Sequence, residues 1–301
     1  MSTPTAARAD TAAPVDIALL GVAVFAISTS APLIRYAAAP ALAIAMWRTA
    51  LAVPVLGLLS ARRRRPDRRE RRLITASGLL LALHFALWIP SISYTSVASS
   101  VALVATQPVW AAIIARARGE FVAREVWIGI GIALAGVIIL TGVDFQVSGR
   151  ALFGDLLALA GGCSAAAYVT VGAEARRSVD TVVYSAGSYA VAAVALLALC
   201  LVTRRELVGF EPGTWAAIVG LVVGAQLLGH TLLNMVLRVI SATGVSVAIL
   251  FEVIGASIIA FFAFDEAPPL AAAPAALLIL AGTIVVIRSG RRRPIAEAPI
   301  A

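Results

Sequence analysis

Residues 41–72 read ALAIAMWRTALAVPVLGLLSARRRRPDRRERR. The first twenty are apolar apart from Arg48, Thr49 and Ser60. The next twelve carry eight arginines, Arg62, Arg63, Arg64, Arg65, Arg68, Arg69, Arg71 and Arg72. About twenty apolar residues in a helix span the roughly 30 Å of a bilayer's hydrocarbon core. A dense arginine run abutting such a stretch is the mark of a cytoplasmic loop. The unit is therefore one membrane helix followed by a cytoplasmic connection.

The pattern recurs along all 301 residues. Hydrophobic residues make up 61% of the chain and charged residues 13%, with a mean hydropathy of +0.96. A soluble domain carries about a quarter charged residues, so lipid must be the solvent for most of these side chains. Ten apolar runs are predicted as transmembrane helices: Val15–Tyr36, Ala39–Ser60, Leu73–Tyr94, Val97–Ala117, Val126–Val143, Ala151–Ala173, Thr181–Val202, Trp215–Leu237, Thr243–Phe264 and Ala271–Ile287. They are too long and too continuously apolar for barrel strands. The first is not a secretory signal: its flank is weakly basic, with Arg8 offset by Asp10 and Asp16, and the run is longer than a signal core. Cys163 and Cys200 sit in apolar runs and imply neither a disulfide framework nor a metal site.

Arginine placement orients the helices. There is no lysine, and all 24 cationic residues are arginines. With the Arg62–Arg72 loop inside, both termini are inside. Nineteen arginines then fall on the cytoplasmic side and four, Arg35, Arg150, Arg204 and Arg205, on the other, with Arg48 left within the membrane. This asymmetry explains the net charge of +8 without a nucleic-acid partner. The expected location is the plasma (inner) membrane.

The two halves resemble each other. A shift of 146 residues carries Ser100-Val101-Ala102 onto Ser246-Val247-Ala248, Glu120 onto Glu266, Leu134-Ala135-Gly136 onto Leu280-Ala281-Gly282, Gly78 onto Gly224, and His84 onto His230, the only two histidines. Five helices per half is an odd number, so the second half enters the membrane from the opposite side. The predicted fold is all-α: ten transmembrane helices as two inverted five-helix repeats. Residues 1–14 form a cytoplasmic tail, 15–143 the first repeat, 144–150 a linker, 151–287 the second repeat and 288–301 a second cytoplasmic tail. Inverted repeats are typical of secondary transporters, with the substrate near the midplane between the halves.

Short motifs strengthen this. The first half has Tyr94-Thr95-Ser96-Val97-Ala98-Ser99 leading into its fourth helix, then Pro108, then Gly119-Glu120. Its fifth helix carries Gly129, Leu134, Gly136 and Leu140, and the second half opens on Gly154-Asp155-Leu156-Leu157-Ala158-Leu159. In these stretches the chain resembles the EamA type of the drug/metabolite transporter superfamily over residues 15–287. It departs at Glu252-Val253, where Glu-Pro is common, and at Asp265-Glu266, in place of Gly-Glu. The resemblance implies export of amino acids, related metabolites or toxic compounds.

Polar groups within the runs are the candidate site. A charge at the centre of a membrane helix costs about 2.5–3.5 kcal/mol on insertion scales, so it should face a partner or a cavity. Arg48 and Glu252 are such charges. His84 and Trp88 are four apart on one face, and Gln226, His230 and Asn234 form a four-residue-spaced stripe. With Gln107, beside Pro108, these eight residues are the expected lining of a substrate cavity. Glu252, His84 and His230 are expected to carry protons if transport is proton-coupled. Ser28, Thr29 and Ser30 before Pro32, and Tyr168, Tyr184 and Tyr189, are weaker candidates. The sequence lacks a nucleophile motif, a metal-ligand cluster, an Asp-rich pyrophosphate motif and a Gly-Lys-Ser/Thr phosphate loop. No cofactor, metal or direct ATP drive is expected. The expected partners are a small-molecule substrate and the lipid bilayer. The alternatives to a secondary transporter are a passive channel and an intramembrane enzyme.

Overall fold

The computed structural model of the chain describes residues 14–229, 232, 251–265 and 272–289. Among these residues all regular structure is helical. The helices are α1 (Pro14–Ser28), α2 (Ser30–Tyr36), α3 (Ala41–Ala50), α4 (Ala52–Ser60), α5 (Arg68–Ser91), α6 (Val97–Val104), α7 (Gln107–Ala117), α8 (Arg124–Val147), α9 (Gly149–Ala175), α10 (Thr181–Val202) and α11 (Pro212–Gly220). A π-helical segment, Leu221–Gly229, continues α11; α12 (Phe251–Phe264) and α13 (Ala272–Ser289) follow. Seven spans are long and apolar enough to cross a membrane: Ala18–Tyr36, Ala41–Ser60, Arg68–Ser91, Val97–Ala117, Gly149–Ala175, Thr181–Val202 and Pro212–Gly229. Large apolar side chains such as Phe25, Leu58, Val194 and Phe262 face outward, as lipid contact requires. The chain is a multi-pass membrane protein.

Three of the expected runs are broken, each ahead of a proline. α1 ends at Ser28, α3 at Ala50 and α6 at Val104. These residues stand four before Pro32, Pro54 and Pro108. Proline cannot donate to the carbonyl four residues back and its ring presses against that carbonyl, so the regular ladder stops there. Two hydroxyls at the first break bond back to the preceding turn: Ser28 Oγ donates to Val24 O at 2.8 Å and Thr29 Oγ1 to Ala26 O at 2.7 Å. The eighth expected run also differs from a plain α-helix, being π-wound over Leu221–Gly229. Apart from Leu232, its remainder lies outside the described residues, as does the start of the ninth.

Local chemistry sets the helix starts. Asp67 caps α5 in a reciprocal box: its Oδ1 accepts from Glu70 N at 2.8 Å, and Glu70 Oε2 accepts from Asp67 N at 2.8 Å. Ser148 caps α9 and Asp180 caps α10. The Arg62–Arg72 segment is tied to the turn between α9 and α10. Arg63 pairs with Asp180 at 2.5 Å and Arg69 with Glu174 at 3.0 Å, while Arg64 bonds Glu70 at 2.5 Å and Ser178 O at 3.1 Å.

The most extensive helix pairings are α8 with α13 and α5 with α9. Small residues allow the close approach. A Cβ on Gly136 of α8 would lie 2.6 Å from Ala275 O and 2.8 Å from Ile279 N of α13. A Cβ on Gly282 of α13 would lie 2.4 Å from Ala133 N and 2.5 Å from Gly129 O of α8. Subtracting 146 from 275, 279 and 282 returns 129, 133 and 136. The two glycines therefore occupy matching positions and make matching contacts. Other pairings come in related couples: α5 with α9 and the π segment with α1; α6 with α9 and α12 with α1.

Candidate functional site

Arg48 lies in the last turn of α3 and is 3% exposed. Both its Nε and its Nη2 donate to the single amide oxygen of Gln226, at 3.1 and 2.7 Å, across 178 residues of sequence. Nη1 donates to Ser30 Oγ at a long 3.4 Å, and the guanidinium lies 4.5 Å from the ring centroid of Phe85. Tyr189 of α10 borders both Arg48 and Gln226. The hydrogen-bond and ring partners of this one cation come from α2 and α5 of the first half and from the π segment of the second. Leaving a guanidinium unpaired in so dry a place would be expensive. Here its near contacts are neutral acceptors and a π face.

His84 and Trp88 share a face of α5 and stack, with ring centroids 5.5 Å apart and planes at 12°. His84 Nδ1 is 2.9 Å from Gly161 O of α9. A carbonyl only accepts, so Nδ1 carries the proton. The approach depends on Gly161, where an added Cβ would meet Trp88 at 3.1 Å. The indole Nε1 of Trp88 is buried and has no hydrogen-bond partner among the described residues. Phe85 touches both groups: its ring centroid lies 5.0 Å from that of His84 and 6.5 Å from that of Trp88. Arg48, Phe85, His84 and Trp88 therefore form one continuous cluster.

Glu252 stands in the first turn of α12, half-buried, near enough to Arg48 for the two charges to be felt. Among the described residues it forms no ion pair with Arg48. Gln107 opens α7 and has no described hydrogen bond to this cluster. His230 and Asn234 lie outside the described residues. The four-residue stripe assumes α winding, whereas Gln226 sits in the π segment.

The EamA-like transporter family profile matches the chain twice, over residues 15–142 and 152–288. The chain belongs to the EamA-like transporter family. It is 24% identical over 212 residues to a protein of Archaeoglobus fulgidus described as an uncharacterized transporter, an alignment covering 69% of this chain and 72% of that one. Its fold is similar to that of a solved crystal structure, at a TM-score of 0.62 and 20% identity, covering 93% of this chain and 99% of the other.

The motifs of this EamA-like chain have visible causes. Gly119, just past α7, has φ +83°, the left-handed conformation in which glycine ends helices at no steric cost. Asp265, just past α12 and 146 residues on, has φ +52°. Asp is among the few residues that tolerate this region, which explains how Asp-Glu can stand in place of Gly-Glu. Of the three hydroxyls before Pro32, Ser30 alone bonds Arg48. Tyr184 is packed between helices, its hydroxyl 2.5 Å from Ser77 Oγ, while Tyr189 reaches the Arg48 group. Two features escaped the sequence reading. Phe85 looked like one more apolar residue. Asp155, expected at the opening of a helix, is completely buried one and a half turns into α9.

Proposed function

We propose that the chain is a secondary active transporter that moves a small metabolite by alternating access between two inverted five-helix repeats, residues 15–143 and 151–287. The observation that carries this reading is the buried Arg48 cation, held jointly by Ser30 of one repeat and Gln226 of the other. A polar group shared by two halves sits where relative motion of the halves would make and break its contacts. The matched glycine contacts of α8 and α13 and the coupled helix pairings support the inverted repeat. Burial of Arg48, His84, Trp88 and Gln226 supports an occluded arrangement. Glu252, next to but not paired with Arg48, is the proposed proton carrier, with His84 and His230 as relay groups. Gln107 and Asn234 complete the proposed lining. The arginine asymmetry supports cytoplasmic termini in the plasma membrane. Export of amino acids or related metabolites is the direction and class that family membership favours.

The test has two stages. Metabolites released by cells overexpressing the protein are compared with those of deletion cells, and the compound that differs most is loaded into proteoliposomes. Wild type should accumulate it against its gradient when a pH gradient is imposed. Glu252→Gln should retain exchange and lose pH-driven accumulation. Accumulation by Glu252→Gln equal to wild type removes Glu252 as the coupling group. Chemical conversion of the loaded compound removes the transporter reading.

A further inference from the structure

The arginines of the Arg62–Arg72 segment fall into two sets. Arg63, Arg64 and Arg69 are committed to Asp180, Glu70 and Glu174. Arg68, Arg71 and Arg72 are in no ion pair among the described residues. With Thr75, Ala76 and Leu79 they line a surface depression of about 460 Å³ at the start of α5. No acidic residue lines it. The carboxylates beside it in sequence, Asp67 and Glu70, are engaged in the helix cap and with Arg64.

The depression continues down one face of the helix. Positions 68, 72, 75, 79 and 83 are three and four residues apart and share that face. Leu79 and Leu83 on it are 52% and 48% exposed. At 1.5 Å per residue, Leu79 lies roughly 10 Å and Leu83 roughly 16 Å below Arg72 along the axis. Three guanidiniums at the edge of the membrane, a hydroxyl just beneath them and an aliphatic row deeper still reproduce the polarity profile of a single phospholipid. A free phosphate has no use for the leucines, and a nucleic acid cannot reach them.

We propose that this face of α5 binds an anionic phospholipid, with its phosphate on Arg68, Arg71 and Arg72 and an acyl chain along Leu79 and Leu83. Charge complementarity selects an anionic headgroup over a zwitterionic one, and the apolar continuation selects lipid over a soluble anion. The site is separate from the Arg48 cluster and does not depend on the transport reading.

The purified full-length chain in detergent is titrated with phosphatidylglycerol, with phosphatidylcholine of the same acyl chains, and with glycerol phosphate, and its thermal unfolding midpoint is followed. Phosphatidylglycerol should raise the midpoint saturably, and the other two should not. The variant R68Q/R71Q/R72Q should need about fivefold more lipid per arginine removed, on the order of 100-fold in all. R62Q/R65Q/R116Q, which removes the same charge elsewhere on that side, should respond as wild type does. Should the groove variant fold poorly, the single variants R71Q and R72Q, each about fivefold weaker, decide the matter. Equal shifts with phosphatidylcholine, an equal shift with glycerol phosphate, or equal losses in the groove and control variants would each overturn the proposal.

Discussion

Gly282→Ala tests the α8–α13 crossing most directly. The added methyl carbon would stand 2.4 Å from Ala133 N and 2.5 Å from Gly129 O. Both are backbone atoms of a helix and cannot swing aside as a flexible side chain could. The helices must part by about 1 Å to restore van der Waals contact, and overpacking of this kind costs about 1–3 kcal/mol. Gly131→Ala in α8 is the control, because a Cβ there meets nothing within 4 Å. Alanine is the better helix former by about 1 kcal/mol in both variants, so that gain cancels in the comparison. Gly282→Ala should therefore unfold below Gly131→Ala by on the order of 5 °C in detergent, read by tryptophan fluorescence or by loss of the monodisperse peak on heating. The double variant Gly136→Ala/Gly282→Ala adds a sharper condition. If one separation of the helices relieves both overlaps, the double cost falls short of the sum by more than about 0.5 kcal/mol. A Gly282→Ala protein that melts with or above Gly131→Ala, or a strictly additive double variant, would refute the packing argument.

Two further outcomes follow from the Arg-rich side. Glu70, in the first turn of α5, accepts from Arg64 Nη2 through Oε1 and from the Asp67 amide through Oε2. These bonds need an ionised carboxylate, so what they contribute to the folded state is lost in acid, below about pH 4. Wild type should thus lose thermal stability across that window more steeply than Glu70→Gln, by a margin that shrinks in high salt because Arg64 is exposed; parallel pH profiles would show that the pair contributes nothing. Membrane orientation is read by cysteine labelling in a background with Cys163 and Cys200 replaced by alanine. An impermeant reagent should modify Glu206→Cys but not Arg65→Cys in intact cells, and the reverse pattern would invert the topology.

Much of the architecture was legible because bilayer physics acts on local sequence. Apolar run length marked the seven spans seen among the described residues, and arginine density marked the Arg62–Arg72 connection. Asp67 followed three residues later by Glu70 is a capping box written in four residues. Pro32 and Pro108 stand four residues past two of the three helix breaks, although the sequence reading took each of those runs as continuous. Pro54 flags the third by the same rule, since α3 ends four residues before it. The π winding of Leu221–Gly229 has no comparable local signal.

The candidate site was legible in part. Residue type and depth alone singled out Arg48, His84, Trp88, Gln226 and Glu252, because a polar group in lipid needs a reason to be there. Their partners were not readable. Arg48 and Gln226 are 178 residues apart, Ser30 looked no different from Ser28, and Phe85 is one apolar residue among many. The sequence by itself determined that this is a helical membrane protein and where its apolar runs and its arginine clusters lie along the chain. Those properties depend on runs and neighbours within a few turns. Only the tertiary structure decided which arginines pair and which stay open, and which groups enclose Arg48, because those contacts exist only once distant helices cross.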